Sequence, residues 1–307
     1  MKKESFIIKA SNDLDLYCLH WQPESPPIGV VQLVHGMAEH VDRFHGFAKF
    51  LTEHGFTVIG HDHPGHGKSV NDKLGHVSSD DAFHTLVTET HRVYFTIKQK
   101  YPDLPVFIFG HSMGSFITQR MMQLQPIHPN GIIYSGSNGK PPLLLHFGII
   151  LSRVLSQLRG TDKKSPLINF LTFGKYNKVF KPNRTDFDWL TRDQDIVDQY
   201  INDPVCGFIY SVGFYRDLFL GLKTLHQHEP FSGYSKPVPM LLVSGVEDPV
   251  SNMGKGVHQL KSILEKSGAE SVDIQLYPGG RHEMLHEINR DEVMTDILTW
   301  LQNHMNR

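Results

Sequence analysis

The sequence predicts an α/β fold: a mostly parallel central sheet flanked by helices, with an inserted, mainly helical cap. Three observations carry this. Six short runs, GVVQLVHG, FTVIGHD, VFIFGHS, GIIYSGS, PMLLVSG and VDIQLYPG, read as strands buried in a parallel sheet. Longer stretches with apolar residues at helical spacing separate them. The alternation lapses between Ser137 and Pro237 and resumes at Val238.

Taken in order, SFIIKA and DLYCLHW alternate apolar with polar residues, the pattern of strands with one covered face. GVVQLVHG then opens the βα pattern, followed by a helix from Val41 to His54, the strand FTVIGHD and a helix from Asp81 to Lys100. VFIFGHS, a helix from Met113 to Gln125 and GIIYSGS continue it. The next hundred residues are Pro-, Arg- and aromatic-rich, with helical patches in PPLLLHFGIILSRVLSQL, DQDIVDQYIND and VGFYRDLFLGL. Sequence repeats and low-complexity tracts are absent and the strand pattern returns, so this is an insertion rather than a linker. The expected division is a core of residues 1–137 and 237–307 with a cap of 138–236. PMLLVSG, a helix from Met253 to Lys266, VDIQLYPG and a helix from Arg290 to Gln302 complete the core.

Composition narrows the function classes. The 307 residues carry 30 Lys and Arg against 32 Asp and Glu, a net charge of −2, which provides no long-range field for nucleic acid or anionic lipid. Cys18 and Cys206 fit neither metal-ligand spacing nor a disulfide framework. The first residues lack the continuous apolar run of a signal peptide, because Glu4, Lys9, Asp13 and Asp15 interrupt it, so a cytoplasmic protein is expected. Pro141 to Leu158 is interrupted by His146 and Arg153 and is too short to span a bilayer. It reads as a helix packed on the body, or as a surface that touches lipid.

Chemistry concentrates at GHSMG, where Ser112 falls at the turn between a buried strand and a helix, the context that G-x-S-x-G requires. Side chains at Gly110 and Gly114 would crowd the neighbouring backbone of so sharp a turn. An ordinary serine N-cap would satisfy the same position, so the surrounding residues decide. A serine hydroxyl needs a histidine to take its proton and a carboxylate to hold that histidine. MLLVSGVEDPV ends one strand with Glu247 and Asp248, and IQLYPGGRHEML ends the next with His282, in the chain order Ser, Asp, His. Asp-Pro suits the turn and the shorter side chain gives a stiffer support, which favours Asp248 over Glu247. His282 follows Gly279-Gly280 at a strand's C-terminal end, where open α/β sheets bind ligands, whereas His286 lies one turn further on and His258 falls on a helix. Backbone N–H groups of Met113 and Met37 are the expected oxyanion hole, with Gly36 letting the chain turn so that Met37 points inward.

VHGMAEHVDRF, DHPGHGKS, GHSMGS, LTRDQDIVDQYINDP, SGVEDPVS and GGRHE together resemble the α/β-hydrolase superfamily, and within it the monoacylglycerol lipase and lysophospholipase group of serine hydrolases. The resemblance covers nearly the whole chain. It implies an α/β-hydrolase fold, Ser112 as nucleophile, Asp248 as triad acid, His282 as base, the Met37 and Met113 amides as oxyanion hole, and no cofactor or metal. It also implies a lipid ester substrate, a monoacylglycerol or lysophospholipid, cleaved through an acyl-enzyme. His63-Pro64 departs from the group's more usual arginine before Gly-His-Gly, a change expected to affect loop packing.

Three other readings stay open. His61, His63 and His66 approximate the H-x-H-x-D-H ligand run of binuclear metallohydrolases, with Gly65 where an aspartate should stand. A non-catalytic binding protein on the same fold is the second. A small-ester or prolyl-peptide hydrolase is the third. The apolar stretches PPLLLHFGIILSRVL, LINFLTF and SVGFYRDLFLGL favour an acyl chain, with Ile149 and Leu151 expected on its wall. Transient membrane or micelle contact through the cap is a further expectation; oligomeric state is left open.

Overall fold

The computed structural model describes residues 1–10, 14–70, 73–77, 81–125, 127–139, 144–225, 238–269 and 271–305. Among them an eight-stranded sheet runs in the order β1-β2-β4-β3-β5-β6-β7-β8. Its strands are β1 (Lys2–Lys9), β2 (Asp15–Gln22), β3 (Gly29–Val34), β4 (Phe56–His61), β5 (Val106–His111), β6 (Gly131–Ser135), β7 (Met240–Gly245) and β8 (Val272–Tyr277). β1 pairs with β2 and β2 with β4 antiparallel; the remaining pairs are parallel. Exposure alternates along β1 at the sheet edge, which leaves Lys2, Lys3 and Lys9 as edge charges.

The central strands are buried on both faces because helices cover both. Along β5, Val106 and Ile108 enter one core with α2 (Ala82–Lys100), α3 (Met113–Leu124) and α8 (Lys255–Lys266). Phe107 and Phe109 enter the other with α1 (His45–Glu53) and α9 (Arg290–Asn303). That period of two explains why the run is apolar throughout. The expected helices form within a few residues of their predicted limits. The one expected from Met253 starts at Lys255, because Asn252, Met253 and Gly254 all have positive φ.

Between β6 and β7 lie α4 (Leu144–Arg159), α5 (Pro166–Phe173), α6 (Gln194–Asn202) and α7 (Val212–Leu225). Their starts follow local rules. Ser165 caps α5 with Pro166 behind it, and Asp193 accepts from the Asp195 and Ile196 amides to cap α6. Gly148 of α4 lies against the Phe219 ring of α7, so a side chain there would separate the pair. The boundary expected at residues 236 and 237 lies outside the described residues. No described helix is long and apolar enough to cross a membrane.

Candidate active site

Ser112 stands alone between β5 and α3, at φ 50 and ψ −117, a region an L residue adopts only when its surroundings impose it. Here they do. The Ser112 N–H donates to the Ser135 carbonyl at 2.8 Å, and the Ser112 carbonyl accepts from the Ser115 amide at 2.9 Å and the Ser115 hydroxyl at 2.6 Å. Both flanking glycines are required by close approach: a Cβ on Gly114 would lie 2.1 Å from the Val34 carbonyl oxygen, and one on Gly110 2.8 Å from that of Gly114. The Ser112 side chain makes no capping hydrogen bond to α3, so the N-cap account does not describe it.

After β7, Asp248 is fully buried, and its Oδ1 accepts from the Val250 amide at 2.8 Å and from His282 Nδ1 at 3.0 Å. Its Oδ2 accepts from the Ser244 hydroxyl at 3.3 Å. Glu247 is half-buried beside it, and the structure brings Asp248 to the histidine. With Nδ1 donating to a carboxylate, Nε2 is the nitrogen free to take a proton. Burial alone would lower the His282 pKa, but the Asp248 charge and hydrogen bond outweigh it and hold it above the ordinary value. The His111 ring lies 4.8 Å from the His282 ring, and the Trp189 ring 5.1 Å from it. His286 turns elsewhere, to Glu283 at 3.1 Å and the Arg43 carbonyl at 3.0 Å, and His258 is exposed on α8.

Ser112, His282, Met37 and Met113 all line one cavity of about 370 Å³. Positive φ falls on Ala38, at 52, and Gly36 is not left-handed. Position 36 needs glycine because a Cβ would lie 2.7 Å from Glu39 Oε1 and 3.2 Å from the Ser112 Cβ. Glu39 Oε1 accepts the Gly36 amide at 2.6 Å, and Arg43 donates to Glu39 at 2.6 Å and to both Glu283 oxygens at 2.7 Å. Burial would raise the Glu283 pKa, but the Arg43 fork holds it well below the usual carboxylate range.

Two of the three expected apolar stretches, LINFLTF and SVGFYRDLFLGL, supply most of the apolar cavity wall, and the α4 stretch does not. Phe116 of α3, Phe170 and Phe173 of α5, and Leu218, Phe219 and Leu222 of α7 line it. Ile149 is instead buried in the core and Leu151 packs against that core, because those sides of α4 face the body rather than the cavity. Of the histidine run, His61, His63 and His66 are buried ring against ring, with His61–His63 centroids 4.8 Å apart. Desolvation pushes His61 down to about 3 and His66 to about 4. The grouping that could hold a metal among the described residues is a different one, His40, Asp203 and Cys206. There Asp203 already accepts from Val205 and pairs with His40 at 2.9 Å.

Trp189, Tyr210 and the Arg43–Glu283 fork were not foreseen. Glu283 beside the proposed base was the one signal that could have flagged the fork; nothing local marks the other two.

The chain is similar to known proteins over most of its length. A family model described as serine aminopeptidase, S33, matches residues 25–289. The monoglyceride lipase of Rattus norvegicus is 28% identical over 297 residues, covering 94% of this chain and 88% of its own. The monoacylglycerol lipase of Mycolicibacterium smegmatis is 26% identical, covering 93% and 92%. Among solved structures, a thermostable carboxyl esterase from Bacillus coagulans superimposes with a TM-score of 0.89 at 26% identity, covering 99% of each chain.

Proposed function

Because the chain belongs to the serine aminopeptidase S33 family of α/β hydrolases, we propose that it is a serine hydrolase cleaving carboxylic esters of lipids, with monoesters of neutral alcohols such as monoacylglycerols as its substrates. The observation that carries this is that His282, bonded to the buried Asp248, and the strained Ser112 open onto one largely apolar cavity. In the proposed reaction His282 Nε2 takes the Ser112 proton as the oxygen attacks the ester carbonyl. Asp248 holds the imidazolium, and the Met37 and Met113 amides receive the developing oxyanion. The tetrahedral adduct collapses to an acyl-Ser112 as His282 protonates the departing alcohol, and water repeats the sequence to release the fatty acid.

Charge supports a neutral head group. The described lining includes Glu39, Asp186 and Glu283 but no lysine or arginine, and the fork of nearby Arg43 is already occupied by two carboxylates. A phosphate-bearing lysophospholipid would meet carboxylates and no lysine or arginine along the described lining. The aromatic and aliphatic residues of α5 and α7 suit a single acyl chain. Residues 138–236 would then serve as the cap. The outward stripe Phe147, Ile150, Val154 and Leu158 of α4 is exposed, which supports contact with a lipid surface.

A panel of monoacylglycerols, lysophospholipids, p-nitrophenyl esters and proline amides, ranked by kcat/KM, tests the assignment alongside labelling by a fluorophosphonate probe. Monoacylglycerols should rank first, and Ser112→Ala should neither label nor turn over. Absence of labelling in the wild type would favour a binding protein, and proline amides ranking first would favour a peptidase.

A further inference from the structure

Ala38 is gripped from the insertion on both sides of its residue. Its carbonyl accepts from the Gly207 amide at 2.9 Å and the Tyr200 hydroxyl at 3.0 Å, and its amide donates to the Tyr210 hydroxyl. Tyr210 is fully buried, its ring stacked 4.2 Å from that of Phe214. Its oxygen also lies 2.6 Å from His66 Nε2. The direction of that bond follows from the other end of the ring. His66 Nδ1 faces the Pro64 carbonyl at 3.0 Å, which can only accept, so Nδ1 carries the proton and Nε2 must receive one from Tyr210. The hydroxyl proton is thus committed to His66, and the oxygen lone pairs are left for the Ala38 amide. Burial keeps His66 neutral, as this arrangement requires.

This grip matters because of what it adjoins. Ala38 has positive φ, which a residue with a side chain holds only under constraint. The Gly36 amide is tied to Glu39 and the Ala38 amide to Tyr210, which leaves Met37 between two fixed peptide units at the cavity wall. We propose that Tyr210, oriented by His66, is a positioning residue for the oxyanion hole: it holds Ala38 so that the Met37 amide faces the ester oxygen above Ser112. The inference rests on the hydrolase reading. It gives the histidine run a task, as a neutral scaffold behind the loop, and makes the insertion part of the catalytic framework as well as a substrate wall.

Tyr210→Phe keeps the ring and deletes only the oxygen. Turnover should fall about 10- to 100-fold in kcat, with KM within about twofold of wild type. Affinity for a trifluoromethyl ketone should fall by the same factor as kcat/KM. That inhibitor forms a bond from Ser112 Oγ to its carbonyl carbon, passes the serine proton to His282 and leaves an oxyanion in the hole. Binding of the product alcohol should not change. Tyr277→Phe, which deletes a part-buried hydroxyl bonded to Asp296 away from the cavity, is the control: it should lose stability but keep kcat. If Tyr210→Phe likewise loses stability alone, or raises KM at constant kcat, the proposal is overturned. Failure of the wild type to form the ketone adduct would instead overturn the hydrolase reading, and with it this role for the clamp. The hydrogen exchange of the Ala38 amide, which Tyr210→Phe should accelerate at least about tenfold, reports the clamp independently of activity.

Discussion

His282 is subject to two opposing influences, burial that disfavours its charge and Asp248 that favours it, and the carboxylate prevails. A base must be neutral to act, so the acid limb of kcat/KM should inflect above the ordinary histidine value of about 6.5. Asp248→Asn removes the charge that raises the pKa and leaves burial unopposed, so the limb should move to lower pH while kcat falls about 10⁴-fold; His282→Ala should cost about 10⁶-fold. A wild-type limb below 6.5, or one unmoved by Asp248→Asn, would separate the pair from the reaction. The same upward shift means that protonating His282 stabilises the fold. That contribution is complete below about pH 6.5 and is lost as pH rises through the folded pKa.

At the scale of elements, the junction of β5 and α3 depends on two backbones meeting without a side chain between them. Gly114→Ala would place a methyl group 2.1 Å from the Val34 oxygen, and backbone cannot swing aside as a side chain can. Urea unfolding should register a loss of about 1–3 kcal/mol or more, with activity falling beyond what stability explains because Ser112 moves. The helices of the insertion make a separate prediction. Each added acyl methylene buried against α5 and α7 is worth about 0.8 kcal/mol, roughly fourfold in kcat/KM, until the cavity is full. Phe170→Asp or Leu222→Asp should flatten that rise while sparing acetyl esters, which do not reach so far; equal loss on both would make these residues structural support only.

The whole molecule presents α4 outward, and its position sets a test of lipid contact. Phe147→Ser with Ile150→Ser should slow turnover of substrate held in vesicles and leave a soluble p-nitrophenyl ester unaffected, since neither residue lines the cavity. Treatment with a chelator should leave ester turnover unchanged, because the proposed chemistry is assigned to a serine, a histidine and backbone amides. Loss restored by zinc would turn attention to His40, Asp203 and Cys206. The strands, most helix limits and the positions of Ser112, Asp248 and His282 could be read from the sequence because each rests on near neighbours. Burial on both faces makes a run apolar, a sharp turn demands glycine, and a parallel sheet gathers its strand ends at one edge. By itself, then, the sequence determined the α/β alternation, the sharp glycine-flanked turn and the three side chains that follow β5, β7 and β8. Only the tertiary structure decided that Ala38 rather than Gly36 takes positive φ, that Ile149 is core while Phe170 and Leu222 are wall, and that Tyr210 grips a loop 172 residues away in the chain. Those outcomes depend on which buried donors and acceptors meet across the packed insertion, and no local pattern encodes such a meeting.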